Sequence, residues 1–406
     1  MQLTQKIEIH PTKDQESILW ALSNQCRLLY NFSLKERLDD EGITYIIQQN
    51  RLPQLKKQYP AYAQVYSKVL QMTLKTLDAN FKSYKELSKT DETANPPKFR
   101  GYKYFFTLKY NQSGFKVKTG YLILSHKVSK DLLKFKIPEK FSFDKIYQVD
   151  IYQDKQTRKY FASIVYDYKE PEYVDNGLYQ AIDLGVTKQA LINTQGKFLD
   201  IVNGRPDLYW KKPVAELQAR RDHCKKGSRK WKQLNTLKKE CETKQKNQLL
   251  DQQHKMAKQI VENTKANTII IGDLNVKQMA QGKRHLNRST QNTGSLARFS
   301  GFLTYKAQKV GKKIIRISEY RTSKACCVCG KIHDMKISDR IMKCDCGNEL
   351  DRDRNSAVNI MVRFLSQNAM WTGYQQFADN LRQTGISLEN TLVGSPFLAT
   401  VSCREG

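Results

Sequence analysis

Asp183 ends the run Ala181-Ile182-Asp183, and Asp353 stands within Asp351-Arg352-Asp353-Arg354-Asn355-Ser356-Ala357, so two acids sit at a strand end and a helix start far apart in the chain. Such a pair calls for an α/β fold that returns remote segments to neighbouring strand ends. There, carboxylates can hold paired Mg²⁺ ions that activate water and stabilise a leaving oxygen. A third segment, Thr268-Ile269-Ile270-Ile271-Gly272-Asp273-Leu274-Asn275, has the shape of the strand between them, yet Gly272 stands where a carboxylate is expected. Taken singly, each aspartate reads as a turn or cap residue. Only the ordered set carries the argument.

Asp273 follows Gly272, but successive strand side chains point to opposite faces, so it is expected to face away from the other two acids. Glycine weakens a strand and offers no side-chain oxygen.

Five of the nine cysteines lie between Cys326 and Cys346, which reads as a metal site and not as a disulfide framework. Cys326-x-x-Cys329 and Cys344-x-Cys346 place two thiolate pairs on two short turns, the ligand set of a tetrahedral structural Zn²⁺. The second pair has one intervening residue, and Cys327 and His333 are rival ligands. A closed site of four thiolates serves folding and docking. Cys26, Cys224, Cys241 and Cys403 read as ordinary core or surface residues.

Charge narrows the partners. The chain has 406 residues, enough for more than one core, and its 69 Lys and Arg against 40 Asp and Glu leave a net charge of +29. Basic residues occur in every region, which favours an extended nucleic-acid surface. No apolar run is long enough to span a membrane and the N-terminus has no signal-peptide character, so a cytoplasmic location is expected, with neither a membrane nor a small-molecule substrate.

Along the chain, Lys6–His10 alternates like a strand, and Pro11-Thr12-x-x-Gln15 starts a helix with a capping box. Ala61–Leu87 carries a helical apolar stripe. From about Pro96 to Tyr168 short alternating runs predict a small β-rich domain, in which Lys98, Phe99, Arg100, Tyr102 and Tyr104 interleave bases with aromatics suited to stacking on nucleobases. Leu178–Ile192 reads as two strands, and Val214–Asn263 as a long helix pair. One face of that pair is cationic and includes Arg220, Arg221, Lys225, Lys226, Arg229 and Lys230, favouring phosphate contact. A further amphipathic helix is expected over Ser295–Val310, then a strand at Lys313–Ile317 and a helix at Arg354–Leu365. From Gln367 onward the periodicity is weak and no role is assigned.

Taken in order, Asp183-Leu184-Gly185, Gly272-Asp273-Leu274-Asn275-Val276-Lys277, Thr322-Ser323-Lys324-x-Cys326-x-x-Cys329-Gly330, Cys344-x-Cys346-Gly347 and Asp351-Arg352-Asp353-x-Asn355-Ser356-Ala357 resemble the TnpB family, transposon-encoded, RNA-guided relatives of the type V CRISPR effectors. The resemblance covers about residues 1–365. It implies an α/β multidomain chain: a β-barrel-like wedge domain over 1–175 with a helical recognition insertion at about 12–90, and an RNase H-like RuvC domain over 176–321 and 350–366. A zinc-binding target-nucleic-acid-binding insertion would occupy 322–349, and a tail 367–406. The implied partners are a guide RNA and double-stranded target DNA.

Carried over by position, Asp183 is the first and Asp353 the third metal ligand, and the second, a glutamate in the family, is Gly272. The resemblance therefore implies a crippled nuclease that retains RNA-guided DNA binding and acts as a transcriptional repressor, with Mg²⁺ relevant only if the site works. The alternative is an active Mg²⁺-dependent RNA-guided endonuclease in which Asp273 or another acid replaces the glutamate.

Overall fold

Gln2–Ile9 (β1) alternates outward polar side chains with inward ones, burying Ile7 and Ile9. Thr12 then caps Lys13–Asp39 (α1): its hydroxyl accepts from the Gln15 amide, and the Gln15 side chain accepts from the Thr12 amide, closing the expected capping box. The computed structural model describes residues 1–388 apart from 112, 140, 142, 274–295, 337 and 369. Leu274, Asn275, Val276, Lys277, the Ser295 helix start and Cys403 therefore lie outside the described residues.

The chain forms two compact units, Met1–Lys169 and Glu170–Gly406. In the first, α1 is followed by Tyr45–Gln58 (α2) and Ser67–Ser88 (α3). The apolar stripe expected in one helix from Ala61 is divided: a 3-10 turn at Pro60–Gln64 buries Tyr62, and α3 buries Val69, Leu70, Leu74 and Leu77. Pro60 opens that turn and separates it from α2.

The strands that follow are Leu108–Asn111 (β2), Phe115–Lys118 (β3), Tyr121–Leu124 (β4), Leu133–Lys136 (β5), Ile146–Gln153 (β6) and Tyr160–Asp167 (β7). They make two antiparallel sheets, β1-β7-β6-β2 and β3-β4-β5. Leu22, Leu29 and Leu34 of α1 join Leu74 of α3 and Ile151 and Ile164 of the larger sheet in one core.

The second unit begins with Tyr179–Leu184 (β8), Lys188–Asn193 (β9) and Phe198–Val202 (β10), followed by Pro206–Tyr209 (α4), Lys211–Asp222 (α5) and Arg229–Asn263 (α6). Thr268–Gly272 (β11), Leu296–Lys309 (α7), Lys313–Ile317 (β12), Ile341–Lys343 (β13), Glu349–Asp351 (β14), Arg352–Gln367 (α8) and Trp371–Gln383 (α9) complete it. Strand order in the main sheet is β10-β9-β8-β11-β12, antiparallel among the first three and parallel among β8, β11 and β12.

Every residue of β11 is buried, because helices cover both sheet faces. Tyr179, Ala181, Ile270 and Ile317 pack with α8 and α9 on one face, and Ile182, Leu184, Ile269 and Ile271 with α6 and α7 on the other. Helix α8 is buried without interruption from Asn355 to Leu365. The segment past Gln367, given no role above, contributes Tyr374, Phe377 and Leu381 of α9 to that core, a spacing of three and four residues that marks a helix face. No helix among the described residues is long and apolar enough to cross a membrane.

Candidate metal centres and nucleic-acid surfaces

Sheet register sets the carboxylate site. Ile271 pairs with Ile182 and Gly272 with Ile317, so one step past the first pair Gly272 stands level with Asp183. Asp183 continues the phase of Tyr179 and Ala181, and Gly272 that of Ile270, which directs both toward α8. Glu319 lies two residues beyond Ile317 and so keeps its phase. Its side chain crosses Gly272: a β-carbon added there would overlap Glu319 Oε1, Cγ and Cδ.

A carboxylate thus occupies the ground over Gly272, and it belongs to the neighbouring strand. The expectation that this wall of the site lacks an acid is corrected here. Asp273 is exposed and lines a small cavity with Leu184, Leu296 and Arg316, on the face away from α8, as strand alternation requires. No local pattern around Glu319 marks it, because it stands beyond the end of β12 and meets Gly272 only through strand pairing. The usable signal was the phase of Ile315, Ile317 and Glu319 at the carboxyl end of a parallel neighbour.

Asp353 enters from the first turn of α8. Asp351 caps that helix, accepting from the Asp353 amide at 3.0 Å and the Arg354 amide at 3.2 Å. Lys188 Nζ lies 2.8 Å from Asp351, 3.3 Å from Asp200 and 3.9 Å from Asp353, and Arg354 reaches Asp200 at 3.1 Å. This cationic brace was also missed by sequence reading, since it gathers residues from β9, β10 and α8.

The acids perturb one another. Asp183 is pushed well above the usual carboxylate range, first by burial and then by the charges of Glu319 and Asp353. Burial, with a smaller effect of Asp273, raises Glu319 to about 7. Asp353 is raised by burial and Asp351, against the pull of Lys188. Glu319 Oε1 is buried with no hydrogen-bond partner, which is costly unless a cation or donor meets it. Asp183, Glu319 and Asp353 therefore form one electrostatically coupled group of hard oxygen donors, of the type that suits a divalent cation, but open: their oxygens do not all lie within 4.8 Å of one another.

The cysteines form a second, tighter cluster. The Cys326, Cys329, Cys344 and Cys346 sulfurs all lie within 4.8 Å of one another, and no other set of three or more ligand groups among the described residues does so. Cys326 and Cys346 Sγ are 3.7 Å apart, and Cys329 and Cys344 Sγ 3.5 Å. A tetrahedron with metal–sulfur bonds of ~2.3 Å has edges of ~3.8 Å, so the four residues fit a structural Zn²⁺.

Gly330 and Gly347, both at positive φ, let the chain turn back at each pair. The single residue between Cys344 and Cys346 is thus no obstacle. Cys327 and His333 stand outside the set. Cys327 is buried, and its amide donates to Asn355 Oδ1 at 2.8 Å.

Of the basic residues singled out above, Arg220, Lys225, Lys226, Arg229 and Lys230 are exposed around the turn from α5 to α6. Arg221 is half-buried, bonded to Asp222 and Asn235 and lying over Trp231. Lys98 is exposed. Arg100 instead lies over the Tyr30 and Tyr104 rings, with its backbone amide held by Asn31.

Three family models match: a helix-turn-helix domain over 1–40, a "Probable transposase" over 163–283 and a "Cas12f1-like, TNB domain" over 297–360. The first falls on β1 and the single long helix α1. "TnpB-like protein L79" of Acanthamoeba polyphaga mimivirus is 34% identical over 139 residues, 33% of this chain and 26% of that protein. The matched stretch spans about a quarter of that relative.

A "Putative RNA-guided DNA endonuclease" of Streptomyces pristinaespiralis is 23% identical over 93% of each chain. Among solved structures, Cas12f1 in its complex with guide RNA and target DNA is similar in fold, with a TM-score of 0.56 at 14% identity, covering 89% of this chain and 98% of that one.

Proposed function

The chain belongs to the TnpB family, and from that premise we propose that it is an RNA-guided DNA endonuclease whose RuvC-type site uses Asp183, Glu319 and Asp353. The observation that carries this reading is the Glu319 carboxylate lying across Gly272. A glycine at the expected glutamate position no longer implies silence once a neighbouring strand fills that space with an acid.

The order β10-β9-β8-β11-β12, antiparallel and then parallel, supports an RNase H-like framework in which β8 and the end of β12 deliver two acids and α8 the third. Bound at these oxygens, Mg²⁺ supplies an activated water and stabilises the leaving oxygen of a phosphodiester. Asp351 fixes the turn that carries Asp353, and Lys188 offsets the charge of Asp351, Asp200 and Asp353. The four thiols hold Zn²⁺ as a structural ion. The exposed bases at the α5–α6 turn serve guide RNA or target backbone, a role that needs charge and not base reading, since pairing with the guide reads the sequence.

The test pairs binding with cutting. The purified ribonucleoprotein, given matched plasmid and Mg²⁺, is expected to cleave, and its Glu319→Gln variant to bind without cleaving. Tight binding by the unsubstituted complex with no nick would replace this reading with the transcriptional repressor that Gly272 alone suggests.

A further inference from the structure

Glu319 is held by its backbone to an unusual degree. The buried guanidinium of Arg363, on α8, donates to the carbonyls on either side of it: Ser318 O, and Tyr320 O at 2.9 Å. The Glu319 carbonyl itself accepts from the Thr322 amide at 3.1 Å and the Thr322 hydroxyl at 3.0 Å. Between them Arg321 adopts a positive φ of 61°, which costs energy for a residue with a side chain and persists only where neighbours enforce it.

Thr322 is buried and fixed in turn by α8. Its hydroxyl accepts from Ser356 at 3.1 Å, and its carbonyl accepts from Asn359 at 2.8 Å. Asn355 and Asn359 both donate to Ala325 O, at 2.7 and 2.8 Å, immediately before the first thiol pair. A continuous strut thus runs from Glu319 to Cys326, pinned to the same helix that carries Asp353.

We propose that Thr322 and Arg363 are positioning residues for Glu319, locking its backbone so that the carboxylate stays over Gly272 and in reach of Asp183. The inference rests on the nuclease reading above and extends it. An acid borne on β11 would be held by sheet pairing on both sides. One borne beyond the end of β12 has left the ladder and needs other anchors, which the Thr322 hydroxyl and the Arg363 fork supply. The thiol knuckle thereby becomes one end of the mount for the middle acid.

Two substitutions at Thr322 separate anchoring from packing. Thr322→Val keeps the shape and loses the hydroxyl; Thr322→Ser keeps the hydroxyl and loses a methyl. In the full ribonucleoprotein, Thr322→Val is expected to slow cleavage about 10- to 100-fold, the range for groups that orient a metal ligand, with target affinity unchanged, while Thr322→Ser stays within about threefold.

Hydrogen exchange without added divalent ions gives a readout independent of cutting: the amides of 319–322 should exchange faster in Thr322→Val and in Arg363→Lys than in the unsubstituted protein. A larger loss in Thr322→Ser than in Thr322→Val, or unchanged exchange at 319–322 in both Thr322→Val and Arg363→Lys, would overturn the proposal. If the unsubstituted complex does not cut, the nuclease reading fails, and the exchange comparison still decides whether these residues hold Glu319.

Discussion

Gly272 and Glu319 share one volume: the carboxylate of the second lies where a side chain on the first would begin. The two positions are therefore coupled sterically. A glycine is required on β11 because an acid from beyond β12 lies over it, and the acid can lie there because the residue beneath has no β-carbon.

Removing the acid is the direct test of its role. Glu319→Gln should reduce cleavage by at least about 100-fold, beyond what loss of an orienting neighbour costs, with guide and target binding intact. Asp273→Asn, on the opposite face, should leave the rate within about threefold, measured by plasmid nicking in parallel.

Restoring the family's glutamate on β11 should fail while Glu319 remains. Gly272→Glu and Gly272→Ala both press on the Glu319 side chain, and overpacking of this kind destabilises by about 1–3 kcal/mol. Both variants are expected to lose activity and melt earlier. Gly272→Glu combined with Glu319→Gly, which moves the acid and the space together, should recover cleavage, and a single Gly272→Glu variant as active as the parent would refute the coupling.

Zinc content tests the thiol set. Atomic absorption should find one ion per chain, lost in Cys329→Ser and kept in Cys327→Ser and His333→Ala. Loss of the ion should lower the melting midpoint by roughly 5–10 °C, the shift that about 2–3 kcal/mol produces in a unit of this size.

Charge at the α5–α6 turn should appear as salt dependence. Changing Lys225, Lys226, Arg229 and Lys230 to Gln is expected to weaken guide binding and flatten the plot of log affinity against log salt by about 3, at roughly 0.7 per phosphate contact with single-stranded RNA. An unaltered slope would remove this strip from the interface.

Much of this was legible from residue types and spacing. The thiol pairs are marked as a ligand cluster by short turns ended by Gly330 and Gly347, the capping box at Thr12 is local, and Asp183 and Asp353 stand out at the strand and helix they bound. Helix α9 was missed although Tyr374, Phe377 and Leu381 keep helical spacing, because polar residues around them blurred the pattern. Arg100 looked like a free base, and only the folded chain lays it over Tyr30 and Tyr104.

The sequence by itself determined that an acid was absent from β11 and that Asp273 faces the opposite side of the strand, since both follow from residue identity and the two-residue period of a strand. Which acid stands in its place was decided only in three dimensions. Gly272 and Glu319 are joined by the parallel pairing of β11 with β12 and by the anchors that α8 places around Glu319, relations between distant segments that no local pattern carries.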